Sequence, residues 1–440
     1  MSNDYKTGPH DYLESADGQR VPLYIIRFDK TGQCLNPQAR NRLLAEAAHH
    51  SDAFLFAHGW NNDWSTALKR YRHFFAGYTD MRRQYKLPMP ENYKPLLAGV
   101  VWPSTALVFG ESEKGPKGEN AAAMAAIMER QAQEEVEALA DFLASEEERA
   151  QLRALANHDE LSDEQARQLA SLVAGTLQSS DGEQPLEETF SVDDLLEGWA
   201  HLPSHEQLES LASTGGEAQA APITALKGWK KYDPRIIYRL LTVMKMKDRA
   251  GAVGTKGVGP LLEGMLRDTM ARVHLQGHSY GAKVVLSALC ASSRPARKAH
   301  SALLLQAAIS RLCFADKVPK ETYPGGYRSA PSRVERPILS TYSSMDFALY
   351  NLYHYVQWRA RDVGEHRFFP AGEDNRRAAL GGYGPRQAGE KRIPIQDVRD
   401  TYLFDTGTPV FGLDGSNRQI TGHGDMSNRH TWWALYSLVS

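Results

Sequence analysis

The sequence predicts an α/β protein: a mostly parallel central sheet flanked by helices, with a large helical insertion. Three observations lead there. Short apolar runs at 53–57 and 96–102 lack the alternation of a half-solvated strand, as expected of strands buried on both faces. Amphipathic helical stretches separate these runs, the alternation that builds parallel sheets. The alternation then stops near residue 107 and resumes after residue 229.

The elements follow in order. Residues 21–28 read as an early strand, and an amphipathic helix spans 37–49. The run 53–57 ends in His58-Gly59-Trp60-Asn61-Asn62-Asp63, and a helix covers 65–85. The strand 96–102 stops at Pro103-Ser104. The block 107–229 is charged, rich in Ala and Glu, and shows no strand signal. Met124, Ile127, Met128, Val136, Leu139, Phe142 and Leu143 recur in it at near-helical spacing. Ser162-Asp163-Glu164-Gln165 is a capping box that opens a further helix. Looser stretches fall at 175–191 and 213–222. The expected division is a core of 1–106 and 230–440 with a cap or lid at 107–229.

Beyond the insertion, Asp233-Pro234 reads as a helix start. A helical stretch with a break at Gly251, Gly254, Gly257 and Gly259 leads to a strand at 272–276. A helix at 282–290 and strands at 302–308 and 337–342 come next. The Gly- and Arg-rich segment 361–394 reads as a long loop, 397–404 as the last strand, and 426–439 as a C-terminal helix.

Composition narrows the function classes. The 440 residues are 42% hydrophobic and 24% charged, with a formal net charge of −2. No global field draws in nucleic acid or an anionic membrane. Cys34, Cys290 and Cys313 are far apart and form no C-x-x-C pair, which argues against a disulfide framework and a cysteine zinc site. The polar start and the lack of a run of roughly 18 apolar residues predict a cytoplasmic protein, although signal-independent export leaves no such trace. H-E-x-x-H, P-loop and dinucleotide fingerprints are missing from any strand–helix context, so neither cofactor nor metal is expected.

The chemistry centres on Gly277-His278-Ser279-Tyr280-Gly281. A serine hydroxyl is a weak nucleophile until a base and an oxyanion site attend it. The G-x-S-x-G elbow presents the hydroxyl at a sharp turn between strand and helix, and its glycines permit the close packing. Bare matches to the motif arise readily by chance; the flanking strand and helix give this one weight. The backbone N–H of Tyr280 is one expected oxyanion donor and that of Trp60 the other, with His58 and Gly59 structural. The order Ser…Asp…His then points to Asp346, just past the strand 337–342, and to His423 in Gly422-His423-Gly424. Asp346 also reads as a helix N-cap before Phe347-Ala348-Leu349. Asp316 is the rival acid and His430, inside the terminal helix, the rival base.

On these residues the chain resembles the α/β-hydrolase superfamily, particularly its serine esterases and lipases. Val101-Trp102-Pro103-Ser104 and the His-Gly-aromatic-Asn loop are similar to those of bacterial serine esterases of unassigned substrate. The resemblance spans about 20–105 and 235–440 and leaves the helical block uncovered. It implies hydrolysis of a carboxylic ester, small-molecule or lipid, through an acyl-enzyme. Two other readings stay open: a lipase or phospholipase acting on membrane lipids as an antibacterial toxin, with peripheral membrane contact through the insertion, and an inactive scaffold that binds a partner protein. No nucleic-acid partner is expected.

Overall fold

The computed structural model describes residues 7–60, 62–104, 246–319, 322–353, 378–405 and 407–440. Between 136 and 234 it describes positions 136, 137, 140, 143, 145–158, 160–178, 192, 193, 196, 199, 232 and 234.

Among the described residues nine strands form one sheet: β1 (Asp11–Glu14), β2 (Arg20–Arg27), β3 (Asp52–Ala57), β4 (Pro95–Val101), β5 (Arg272–His278), β6 (Ser301–Leu305), β7 (Ile338–Tyr342), β8 (Lys391–Pro394) and β9 (Val410–Asp414). Their spatial order is β1-β2-β4-β3-β5-β6-β7-β9-β8. Among these strands the β1–β2 pair is antiparallel and the other pairs are parallel. Strands from before residue 107 and after residue 229 meet where β3 pairs with β5, Ala57 opposite Gly277.

The alternation along each strand assigns side chains to two cores. Tyr24, Ile26, Leu55 and Leu275 face the helices α1 (Pro37–Ala47), α5 (Gly259–Asp268) and α6 (Tyr280–Ala291). Leu23, Ile25, Phe54 and Phe56 face α2 (Trp64–Tyr85) and the C-terminal helix Arg429–Val439. The result is a helix–sheet–helix sandwich of the α/β class. Burial on both faces explains why the strand sequences read as continuous apolar runs.

Local chemistry sets the boundaries. Asp63 caps α2 by accepting from Thr66 N–H at 2.7 Å, and α2 ends in left-handed Lys86 (φ 50°). The terminal helix starts at Arg429, three residues later than expected, because Asn428 caps it through His430 and Thr431 N–H. β6 stops at Leu305 because Gln306 turns into a positive-φ conformation (φ 39°).

Between residues 107 and 229, α3 (Glu146–Ala156) and α4 (Asp163–Gln178) are described, and both are helical. Ser162 and Gln165 close the expected box: Gln165 N–H donates to Ser162 Oγ at 3.2 Å, and Ser162 N–H to Gln165 Oε1 at 3.0 Å. Ser145 and Glu148 form a second box, so Glu146, Glu147 and Glu148 occupy a helix's first turn. Helix α4 runs on to Gln178, past the expected break at 175. The Met124–Met128 stripe, the stretch 213–222, Asp233, Tyr355 and Trp358 lie outside the described residues.

Three expectations need correction. The last strand is β9, not 397–404. The apolar side chains of that segment cover the sheet instead: Tyr402 stacks on Phe404, and Phe404 meets Phe411 of β9 edge-on at 5.3 Å. The segment 361–394 is not all loop, since α7 (Leu380–Tyr383) and β8 lie within it; the terminal helix Arg429–Val439 is α8. The glycines at 251–259 do not break the helix but widen it into a π-helical turn, Val253–Val258, that runs into α5. A Cβ on Gly254 would lie 2.5 Å from the Val284 carbonyl oxygen, and one on Gly257 would lie 2.6 Å from that of Gly32. These glycines let backbones touch. Among the described residues no helix is long and apolar enough to cross a membrane.

Candidate functional site

The site lies at the C-terminal ends of β3, β5, β6 and β7, where loops from several strands converge. Ser279 occupies the turn between β5 and α6 with φ 54° and ψ −123°, a conformation costly for a residue bearing a Cβ. Its surroundings hold it there. Ser279 N–H donates to the Leu305 carbonyl at 3.0 Å, and its own carbonyl accepts from Ala308 N–H at 3.2 Å. The elbow glycines are sterically required. A Cβ on Gly277 would lie 2.6 Å from Ala282 N, and one on Gly281 2.0 Å from the Ala57 carbonyl oxygen.

The structure brings together the three residues that the sequence singles out. His423 Nε2 lies 2.9 Å from Ser279 Oγ, and His423 Nδ1 lies 2.8 Å from Asp346 Oδ2. Asp346 and Ser279 are buried, while the His423 side chain is 31% exposed, so the array opens to solvent at the histidine. Asp346 stands in both positions considered for it. Its Oδ1 accepts from Leu349 N–H at 3.1 Å, capping the turn that follows β7, while Oδ2 faces the imidazole. The two rivals stand elsewhere. Asp316 is exposed and pairs with Arg328 at 2.9 Å. His430 sits in the first turn of α8 with Nδ1 3.2 Å from the Gln396 carbonyl oxygen.

The His58-Gly59-Trp60 segment packs directly against the elbow. A Cβ on Gly59 would lie 2.7 Å from Ser279 Cβ and 3.0 Å from His278 Nδ1. Both His58 ring nitrogens are engaged by backbone: Nδ1–H donates to the Gly59 carbonyl at 2.9 Å, and Nε2 accepts from Trp102 N–H at 3.4 Å. Trp102 stacks on the His58 ring (5.7 Å between centroids) and donates its indole N–H to the His58 carbonyl at 2.9 Å. Burial pushes His58 down to about 4, so it is neutral at pH 7. The His-Gly-Trp and Trp-Pro-Ser motifs are therefore one structure that latches the end of β3 to the end of β4. Trp60 N–H has no acceptor among the described residues. Tyr280 N–H opens α6 beside the serine.

Several residues outside the Ser–His–Asp array hold the site together. Asn62 donates its amide to the Gly59 and Trp60 carbonyls at 2.9 and 2.8 Å, which shapes the loop. Ser104 bridges Asn62 N–H and its carbonyl at 3.1 and 2.9 Å. Gln306 donates to the Asp425 carbonyl at 3.0 Å, and His278 Nε2–H donates to the His423 carbonyl at 2.7 Å. Burial, reinforced by the neighbouring His423, holds His278 well below the ordinary histidine range. Pro103-Ser104 following a buried strand was the only available signal for Ser104.

A second Ser–His–Asp array lies at the opposite ends of the strands. His274 Nδ1 is 2.8 Å from Ser301 Oγ and His274 Nε2 is 2.9 Å from Asp52 Oδ1. Arg272 also pairs with Asp52 at 2.7 Å. All three members of this array are at most 1% exposed. Burial pushes His274 down to about 4. Nothing can reach this serine, so the array is a buried polar network. Among the described residues no group of three His, Cys, Asp or Glu side chains is disposed to hold a metal ion.

Fold and site together define an α/β protein with a Ser–His–Asp array on a strained strand–helix turn. Comparison with protein-family models, curated proteins and solved structures found no match.

Proposed function

We propose that the chain is a serine hydrolase of the α/β-hydrolase type that cleaves carboxylic esters through an acyl-enzyme. One observation carries the reading: His423 bridges Ser279 Oγ and buried Asp346 at 2.9 and 2.8 Å, with the serine on a positive-φ elbow. The chain order Ser…Asp…His and the placement of the acid after β7 support the fold type.

The steps follow from the geometry. His423 Nε2 accepts the hydroxyl proton as Ser279 Oγ attacks the ester carbonyl. Asp346 holds Nδ1–H, fixes the tautomer and stabilises the imidazolium. The tetrahedral oxyanion is received by Tyr280 N–H, at the positive end of α6, and by Trp60 N–H. His423 then protonates the departing alcohol, the carbonyl reforms, and Ser279 carries the acyl group. Water activated by His423 attacks that ester and releases the acid.

A panel of esters of graded acyl length tests the reading, run on the wild type and on Ser279→Ala with a fluorophosphonate label alongside. The expected result is turnover and labelling in the wild type, with both lost in the folded variant. Labelling that persists in Ser279→Ala overturns the proposal.

A further inference from the structure

His423 sits between Gly422 and Gly424, and at either glycine a Cβ would meet nothing within 4 Å. Neither glycine is confined by a neighbouring side chain, yet the proposed chemistry needs the imidazole between them fixed to within a fraction of an ångström. Part of the bracing is internal. Asp425 Oδ2 accepts from Thr421 N–H at 2.9 Å, and Asp425 Oδ1 accepts from the Asn428 amide at 3.0 Å. The first closes the loop on itself, the second ties it to the N-cap of α8, and neither ties it to the serine.

We propose that Gln306 and His278 form a two-point clamp that sets the His423 loop over Ser279, and that both are positioning residues for the ester hydrolysis proposed above, on which this inference rests. His278, the residue before the serine, donates Nε2–H to the His423 carbonyl at 2.7 Å. Gln306 donates its amide to the carbonyls of Asp425 and Gly422 at 3.0 and 3.4 Å. Among the described residues these are the hydrogen bonds from β5 and the end of β6 to the backbone of 422–425.

The amide of Gln306 has a defined orientation. Both groups facing its nitrogen are carbonyls, which cannot donate. On the other side Thr341 Oγ1 donates to Gln306 Oε1 at 3.3 Å and accepts from Gln306 N–H at 3.0 Å. The side chain is fully buried, and the backbone holds φ 39°, a region that a residue with a Cβ rarely occupies. Observed strain of this kind concentrates where surrounding structure holds a functional group in place.

Position in the chain gives the clamp its meaning. Leu305 accepts from Ser279 N–H, Ala308 donates to the Ser279 carbonyl, and Gln306 lies between them. One short segment after β6 therefore fixes the backbone of the serine and, through the Gln306 amide, the backbone of the histidine loop. His278 does the same from the elbow itself. A movement of Ser279 carries its base along.

The test uses Gln306→Met, close in length but without the donor, and His278→Phe, which keeps a ring. Each is measured for kcat, KM, the rate of fluorophosphonate inactivation and the downfield Nδ1 proton of His423 by NMR. Misplacement of a reacting group by about 1 Å lowers rates by up to roughly 100-fold. The expected result is a fall of about 10- to 100-fold in kcat and in inactivation rate, with KM little changed and the downfield proton broadened or lost. Because both residues hold one loop, the double variant should fall by less than the product of the two single losses. Folded variants with kcat within about twofold of wild type and an intact proton signal overturn the clamp. If Gln306→Met does not fold, Thr341→Val takes its place, since it frees the amide to turn. Unchanged kcat and proton signal in both Thr341→Val and His278→Phe then overturn the proposal. A wild type that neither turns over esters nor labels refutes the hydrolase reading instead, and the NMR signal still reports whether the clamp holds His423.

Discussion

At the residue scale, two constellations of identical composition have opposite character. Ser279–His423–Asp346 and Ser301–His274–Asp52 both align a hydroxyl, an imidazole and a carboxylate within 3 Å. Access separates them: the His423 side chain is 31% exposed and that of His274 is sealed. Asp346→Asn tests the first array. The amide can still cap Leu349 N–H through its oxygen, so the fold should persist. Its tautomer-fixing role is lost, and kcat should drop by about 10⁴-fold, read by steady-state kinetics beside a thermal melt. His274→Ala tests the second. It leaves Asp52 buried, with Arg272 and Ser51 as its remaining side-chain partners among the described residues. Stability should fall by about 3 kcal/mol in denaturant titration, while kcat of the folded fraction stays the same.

At the scale of elements, the site is made by turns that lock strand ends together. The loop after β3 is fastened to the end of β4 through His58, Trp102, Asn62 and Ser104. Ser104→Ala strands Asn62 N–H and its carbonyl in a buried setting. The expected cost is about 1–3 kcal/mol, with kcat reduced more than KM is raised, because Trp60 N–H drifts from its proposed place facing the oxyanion. A variant as stable and as active as wild type in urea titration and kinetics would show that Ser104 does not fasten this loop. Gly59 sets the separation between this loop and the elbow. The motifs His-Gly-Trp, Trp-Pro-Ser and Gly-His-Ser were each visible along the chain, since each requires a glycine or proline at a fixed backbone position. That they touch was not visible, since the contacts join residues more than forty positions apart.

At the scale of the whole molecule, three buried histidines make stability depend on pH. Burial drives His58 and His274 down to about 4 and His278 well below its ordinary value. All three are neutral in the folded protein near pH 7. Unfolded, they bind protons as pH falls through about 6.5, before the folded state does. The unfolded state therefore holds more protons between pH 6.5 and 4, and stability falls as pH falls across that window. Asp52 adds to this at lower pH. Its carboxyl, bonded to His274 and Ser51, is held below the ordinary value against its burial. That contribution is present above the unfolded carboxylate pKa and is lost as pH drops through the folded one. Thermal melts from pH 8 to 4 should show Tm level above pH 7 and falling steeply below pH 6. A flat Tm down to pH 4.5 would mean that these histidines are not buried neutral.

The sequence by itself determined the α/β class, the run of buried strands up to β7, the serine turn, and Asp346 and His423 as its partners in chain order. These are local or ordinal facts: apolar runs, glycines required by a tight turn, a helix cap, a sequence of ends. It misplaced the last strand, because aromatic residues that cover a sheet and those that form one have the same composition, as Tyr402 and Phe404 show beside Phe411. Tertiary structure alone decided which Ser–His–Asp set is reachable. It also decided that Gln306, Asn62 and Ser104 belong to the site. Hydrogen bonds between distant turns leave no period and no motif in a chain; they exist only once the sheet has brought the strand ends together.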